Sequence, residues 1–140
     1  MKPFEFFLGT NDVRVLNRNT ALAKSLINDM NERIKSSFSL TKNFAKLIFE
    51  NLYDALRDFC DALLAKDGYK SYSHEASIAY LSKYNFSFAE ISKLDNFRII
   101  RNGSKYYGRK ISETEVEDIK SLYLSIKEKI NKLIKENSLI

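Results

Sequence analysis

The stretch TKNFAKLIFENLYDALRDFCDALLAK, residues 41–66, decides the fold. Phe44, Ala45, Ile48, Leu52, Ala55, Leu56, Phe59, Leu63 and Leu64 recur at three- and four-residue steps, the repeat of one helical face. Leu47, Phe49, Tyr53 and Cys60 widen that stripe. A helix apolar over most of its circumference is packed on several sides, so this one reads as the centre of a helical bundle. Thr41 suits the N-cap, and Gly68 suits the C-terminal stop.

Working outward, the same spacing predicts a helix over about Asn11–Ser37. Val15, Leu16, Leu22, Ala23, Leu26, Ile27, Met30 and Ile34 lie on its inner face, and Arg14, Arg18, Lys24 and Arg33 on its polar one. On the other side GYKSYS, residues 68–73, reads as a turn. A helix from His74 to Lys83 follows, with Ser73 as N-cap and Glu75 in the first turn. Ser87 with Glu90 and Ser112 with Glu115 have capping-box spacing and open two further helices. The first of these is read through to Tyr107 with Gly108 as its stop, because Tyr106 and Tyr107 repeat the face of Ile99 and Ile100 two turns later. Gly103 then lies inside the helix at a cost of about 1 kcal/mol, and it admits a close neighbour. In the last helix Val116, Ile119, Tyr123, Ile126, Ile130 and Leu133 form a heptad-like seam, suited to a long antiparallel neighbour within the chain or in a dimer. Acids start that helix and lysines fill its later turns, both in keeping with the helix dipole. The fold class is all-α: a single helical bundle of about five helices over residues 1–140.

Composition agrees. The chain has 140 residues, 44% apolar, with one Pro and four Gly, a scarcity of breakers that favours long helices over a many-turned sheet. Cys60 is the only cysteine and lies in an apolar helical pattern. It reads as a core thiol, and the lack of a disulfide pair fits a reducing cytoplasm. No apolar run approaches the ~18 residues of a membrane span, and MKPFEFFLGT is too short for a signal peptide, so a cytoplasmic protein without membrane contact is expected. One His and one Cys make no zinc site, the acids have no calcium-loop spacing, and no phosphate-loop or dinucleotide fingerprint occurs; no metal or cofactor is expected. His74, the only histidine, follows a helix cap without a nucleophile-elbow motif elsewhere, and reads as a helix-start residue held by local hydrogen bonds.

The net charge of +5 is uneven. Residues 98–112 carry five basic side chains and no acid, residues 1–46 eight basic and four acidic, and residues 47–97 five basic and eight acidic, so the excess is local. Arg98, Arg101 and Lys105 are spaced to share a helical face, Asn102 borders it, and Arg109 and Lys110 follow at the turn. Guanidinium forks grip phosphate oxygens, and Tyr106 or Tyr107 can stack on a base, which suits single-stranded RNA. A plain alternative stands beside this one. Cations near a helix C-terminus are favoured by the dipole alone, and Asp95, Asp54, Asp58 or Asp61 can pair with the arginines.

Two segments, LYDALRDFCDALLAKDGYKSYSHEASIAYL at 52–81 and FRIIRNGSKYYG at 97–108, together resemble the HEPN family of small helical-bundle domains, in an archaeal type. The family's RNase motif is Arg, a polar residue such as Asn, and a His after four to six intervening residues. Arg101 and Asn102 match its start, but the His positions hold Tyr106, Tyr107 and Gly108, and a start at Arg98 leads to Gly103, Ser104 and Lys105. Metal-independent RNA cleavage needs a base for the 2′-hydroxyl proton. Histidine, with a pKa of about 6.5, serves at neutral pH, whereas tyrosine, at about 10, stays protonated. The resemblance therefore implies an RNA- or nucleotide-binding module rather than a nuclease. Arg98, Arg101, Asn102, Lys105, Arg109 and Lys110 would be its nucleic-acid contacts. It also implies a homodimer whose two Arg–Asn segments face one another, and a nucleotidyltransferase-type partner protein as in toxin–antitoxin or RNA-processing systems. Two rival readings remain open here. One is an endoribonuclease whose catalytic candidates are Arg101, Asn102, Tyr106 and Tyr107. The other is an interaction protein in which Arg101 and Asn102 are buried against acids of the central helix.

Overall fold

Six helices and one two-stranded ribbon follow one another along the chain: α1 (Phe4–Leu8), β1 (Val13–Val15), α2 (Thr20–Ser39), α3 (Ala45–Asp67), β2 (Tyr69–Ser71), α4 (His74–Ala79), α5 (Phe88–Tyr107) and α6 (Glu113–Glu136). They are seen in a computed structural model that describes all residues 1–140. The architecture is an all-α bundle. Twelve of the 35 residues of its hydrophobic core lie on α3, which makes that helix the centre. The most extensive packing is α2 along α3, and α4, α5 and α6 close around the rest of its surface. Cys60 is buried in this core, where burial pushes its thiol well above the usual range and leaves it inert. No helix is long and apolar enough to cross a membrane.

The ends of α3 show how the bundle is punctuated. Gly68 stops the helix in the left-handed conformation with φ +92°, and its N–H donates to Ala65 O at 3.2 Å. At the other end the expected cap does not form. Thr41 opens a short 3₁₀ turn, Lys42–Phe44, and α3 starts at Ala45 with no side chain accepting from its first N–H groups. Ser87 with Glu90 and Ser112 with Glu115 form both reciprocal capping boxes, and α5 runs to Tyr107 before a left-handed Gly108. The apolar seam of α6 packs against α3 within the chain, with Ile134 rather than Leu133 completing its buried row.

The N-terminal third departs from the helix read over Asn11–Ser37. Helix α2 begins only at Thr20, where Asn19 Oδ1 accepts from Leu22 N at 2.9 Å. Before it, β1 pairs antiparallel with β2, setting Val13 against Ser71, Arg14 against Lys70 and Val15 against Tyr69. Half of the segment read as a turn at 68–73, Tyr69–Ser71, is thus a strand. The cause is non-local: Leu16 N donates to Gly68 O at 2.7 Å and Asn19 N to Ala65 O at 2.8 Å, so the end of α3 templates the extended chain. Val15 is 74% exposed, so its match to the helical stripe carries no burial. The sixth helix, α1, is short and anchored by the buried Phe4 and Phe7. After Ser73 caps α4, accepting from Ala76 N, the helix tightens to a 3₁₀ segment over Tyr80–Tyr84, so the helix read to Lys83 is α-helical only to Ala79.

Candidate nucleic-acid interface

Helix α5 lays its C-terminal half along the first half of α3, and this sorts the basic cluster into two layers. In the inner layer Arg101 is only 5% exposed. Its Nη2 donates to Asp54 Oδ1 at 3.1 Å, its guanidinium lies 5.7 Å from the Tyr53 ring centroid, and its Nε is buried without a partner. Arg98 Nε donates to Asp95 Oδ1 at 2.7 Å, and Glu75 lies at the edge of its reach, 4.0 Å away. Ser104 is buried and donates to Glu50 Oε2 at 3.2 Å. Arg98, Arg101 and Lys105 follow one another along α5 as their spacing requires, but only Lys105 is exposed. Asn102 is half-buried beside them.

The inner layer also gathers residues that the sequence does not place together. His74, at the start of α4, stands between Tyr53 and Arg57 of α3. The Tyr53 hydroxyl lies 3.1 Å from His74 Nδ1, and Arg57 Nη1 donates to His74 Nε2. Arg57 also faces Asp61 at 3.5 Å, and Asp61 accepts from Ser77 Oγ at 2.8 Å. Burial first, then the charges of Arg57, Arg101, Arg98 and Lys105, push the His74 pKa down to about 4. The imidazole is therefore neutral at pH 7 with both nitrogens engaged. Burial also raises the Tyr53 phenol above its ordinary value. Tyr53 and Arg57 are four apart on one helix, which is the only local sign of this cluster. That the start of α4 docks over them is a tertiary fact.

The outer layer is open. Lys105, Tyr106, Tyr107, Arg109 and Lys110 are exposed, the two tyrosines to 63% and 84%. Arg109 forks onto Glu115, Nη1 to Oε1 at 3.0 Å and Nη2 to Oε2 at 2.5 Å. That fork, helped by the Ser112 N–H, holds the Glu115 carboxyl down at about 2. The Arg109 stem crosses Gly103 so closely that a β-carbon there would lie 3.0 Å from Arg109 Cδ. The near neighbour that Gly103 admits is thus the following turn of the same chain. Between this turn and the start of α3 lies a cleft of about 370 Å³, with Asn43, Lys46, Ser104, Arg109 and Lys110 on its walls and no carboxylate among its lining residues. Lys46 arrives from another helix, and nothing in its sequence surroundings links it to this turn. A wider groove of about 600 Å³ between α5 and α6 mixes Lys93 with Asp118 and has no charge preference.

No group of three or more His, Cys, Asp and Glu side chains is placed to hold a metal ion. No family model matches the chain, and no curated protein or solved structure matches it.

Proposed function

We propose that this chain is a HEPN-like module that binds RNA, or a nucleotide portion of it, without cleaving it. The observation that supports this reading is the cleft at the α5–α6 turn, where Lys46 and Lys110 meet without an ion pair near two exposed tyrosines while Glu115 holds Arg109. Lys46, Lys105 and Lys110 supply the charge for phosphate, Ser104 and Asn43 line the polar wall, and Tyr106 or Tyr107 stacks on a base. Arg98 and Arg101 take a different part. Their guanidinium groups are engaged by Asp95 and Asp54, so they hold α5 in place and steer the ligand only through their field. This division favours the buried, structural reading for Arg101 and the binding reading for the turn that follows it.

Cleavage lacks a base in this arrangement. His74 is neutral, but Arg57 occupies Nε2 and Tyr53 faces Nδ1, and it belongs to the inner layer. A homodimer and a nucleotidyltransferase-type partner belong to the same proposal. Phe88 and Ile99, exposed on one face of α5, are the apolar positions it offers to a second copy. Light scattering that returns the mass of one chain removes the dimer from the proposal.

The binding reading is tested by anisotropy of a labelled single-stranded 12-mer RNA. Lys46→Glu with Lys110→Glu is expected to weaken binding at least about tenfold with unchanged thermal stability, since each replaced contact also becomes repulsive. Wild-type affinity in that variant overturns the cleft as the site. Incubation with RNA in chelator is expected to give no product. Product that disappears with Tyr106→Phe or Tyr107→Phe would replace this reading with an endoribonuclease.

A further inference from the structure

The ribbon of β1 and β2 has an outer face that the cleft does not use. Its register sets Arg14 directly across from Lys70. Val13 and Ser71 are buried, whereas Arg14 and Lys70 point outward. Tyr72 stands two residues beyond Lys70 on that outward side and is 57% exposed, its N–H tied to Asp12 O at 2.7 Å. The Arg14 guanidinium and the Lys70 ammonium each lie 5.8 Å from the centroid of the Tyr72 ring. Neither cation takes part in an ion pair. The acids at this end of α3 are engaged elsewhere, Asp61 by Arg57 and Ser77, Asp67 by Lys66, Tyr80 and Tyr84. Arg18 extends the row, its side-chain stem running beside Gly68 at the other end of the ribbon.

A water-exposed aromatic ring flanked by two cations that no carboxylate holds is a stacking platform with phosphate donors on either side. Because neither cation is anchored by a second bond, either can give up the face of the ring to a base and take a phosphate instead. The base must be unpaired, since in a duplex both its faces are already stacked. We propose that the outer face of the ribbon binds single-stranded nucleic acid, with Tyr72 stacked on a base and Arg14 and Lys70 on the phosphates beside it. The choice of RNA as its ligand rests on the function proposed above; the surface itself is separate from the cleft.

The chain has no tryptophan, so Tyr72→Trp places its only tryptophan at the platform, excited selectively at the red edge of the tyrosine absorption. Its emission is expected to be quenched by a single-stranded 12-mer RNA, with the midpoint that anisotropy gives, and to stay unchanged with a 12-base-pair duplex. Tyr72→Ala is expected to weaken binding of the single strand about five- to a hundredfold, and Tyr72→Phe to restore it. Arg14→Glu with Lys70→Glu weakens it and flattens its salt dependence. A DNA strand of the same sequence that binds equally well assigns the platform to either nucleic acid. If the wild type binds RNA, these variants bind as tightly and the Trp signal stays silent, the ribbon is not a site and the cleft reading stands. Loss in the ribbon variants but not in Lys46→Glu with Lys110→Glu keeps the ribbon and removes the cleft. Absence of binding to RNA and to DNA in the wild type overturns both.

Discussion

Arginine only donates, so the bond from Arg57 makes His74 Nε2 the acceptor and leaves the ring proton on Nδ1, facing the Tyr53 oxygen. The charges around the ring then set a stability dependence. The native pKa of about 4 lies below the unfolded value of about 6.5. Between the two, the unfolded chain takes a proton that the native chain refuses. The contribution of His74 is therefore complete above about pH 6.5 and lost as pH falls toward 4. Asp58 acts in the opposite sense. Burial, only partly offset by Arg33, lifts its carboxyl to about 6, so the native chain takes that proton first and gains as pH falls. The two partly cancel in the wild type, and a comparison with His74→Gln isolates the histidine. Between pH 7 and 4.5 the wild type is expected to lose about 1–2 kcal/mol relative to the variant, allowing for solvent beside the ring. Urea unfolding at both pH values measures it; parallel profiles would contradict the depressed histidine. Arg101 makes a second claim at this scale. Removing one partner of a buried pair costs about 3–5 kcal/mol, but Asp54 is partly exposed and keeps Arg33 at 3.7 Å, so Arg101→Ala should cost about 2–3 kcal/mol. A loss below about 0.5 kcal/mol would mean that Arg101 does not hold α5 in place.

Among the elements, the junction of α3 with the ribbon is the least tolerant of change. Gly68 has φ +92°, and a β-carbon there would stand 2.8 Å from Leu16 O, a backbone atom that cannot swing aside. Left-handed strain and the clash together predict that Gly68→Ala lowers stability by about 2–4 kcal/mol, read as a shift in urea midpoint. A neutral result would show that β1 does not sit on the end of α3. This junction also marks where the chain stops being legible residue by residue. The capping boxes at Ser87 and Ser112 and the stops at Gly68 and Gly108 could be read directly, because each is a contact within one or two turns. The ribbon could not: Val13 and Val15 meet Ser71 and Tyr69 across two intervening helices, and nothing near them announces it. Val15 and Leu16 even fall in phase with the stripe of α2, although both are exposed. The basic turn followed the same rule. Lys105, Arg109 and Lys110 stood out as a run of charge, whereas Lys46 and the Tyr53–Arg57–His74 cluster depend on which helices touch.

For the whole molecule the issue is where a net charge of +5 is spent. Most acids of α3 are consumed internally, Asp54 and Asp58 by Arg33, Asp61 by Arg57, Asp67 by Lys66. Among the cations left without an ion pair, Lys46 and Lys110 share the cleft, and Arg14 and Lys70 share the ribbon. Each phosphate neutralised on a single strand contributes about −0.7 to the slope of log affinity against log salt. About three contacts at the cleft alone would give a slope near −2, a roughly 16-fold loss between 50 and 200 mM salt. A strand that also engages Arg14 and Lys70 would add about two contacts, taking the slope to about −3.5 and the loss to roughly 130-fold. The wild type is expected near the steeper value with a long single strand. The Arg14→Glu, Lys70→Glu variant should fall to the shallower one, and a 4-mer too short to bridge the surfaces should show the shallower slope in both proteins. Equal slopes for wild type and variant on the long strand would mean that the two basic surfaces do not share a ligand. A slope near zero in the wild type would remove phosphate recognition altogether, because no arrangement of lysines can bind a polyanion without displacing its counterions.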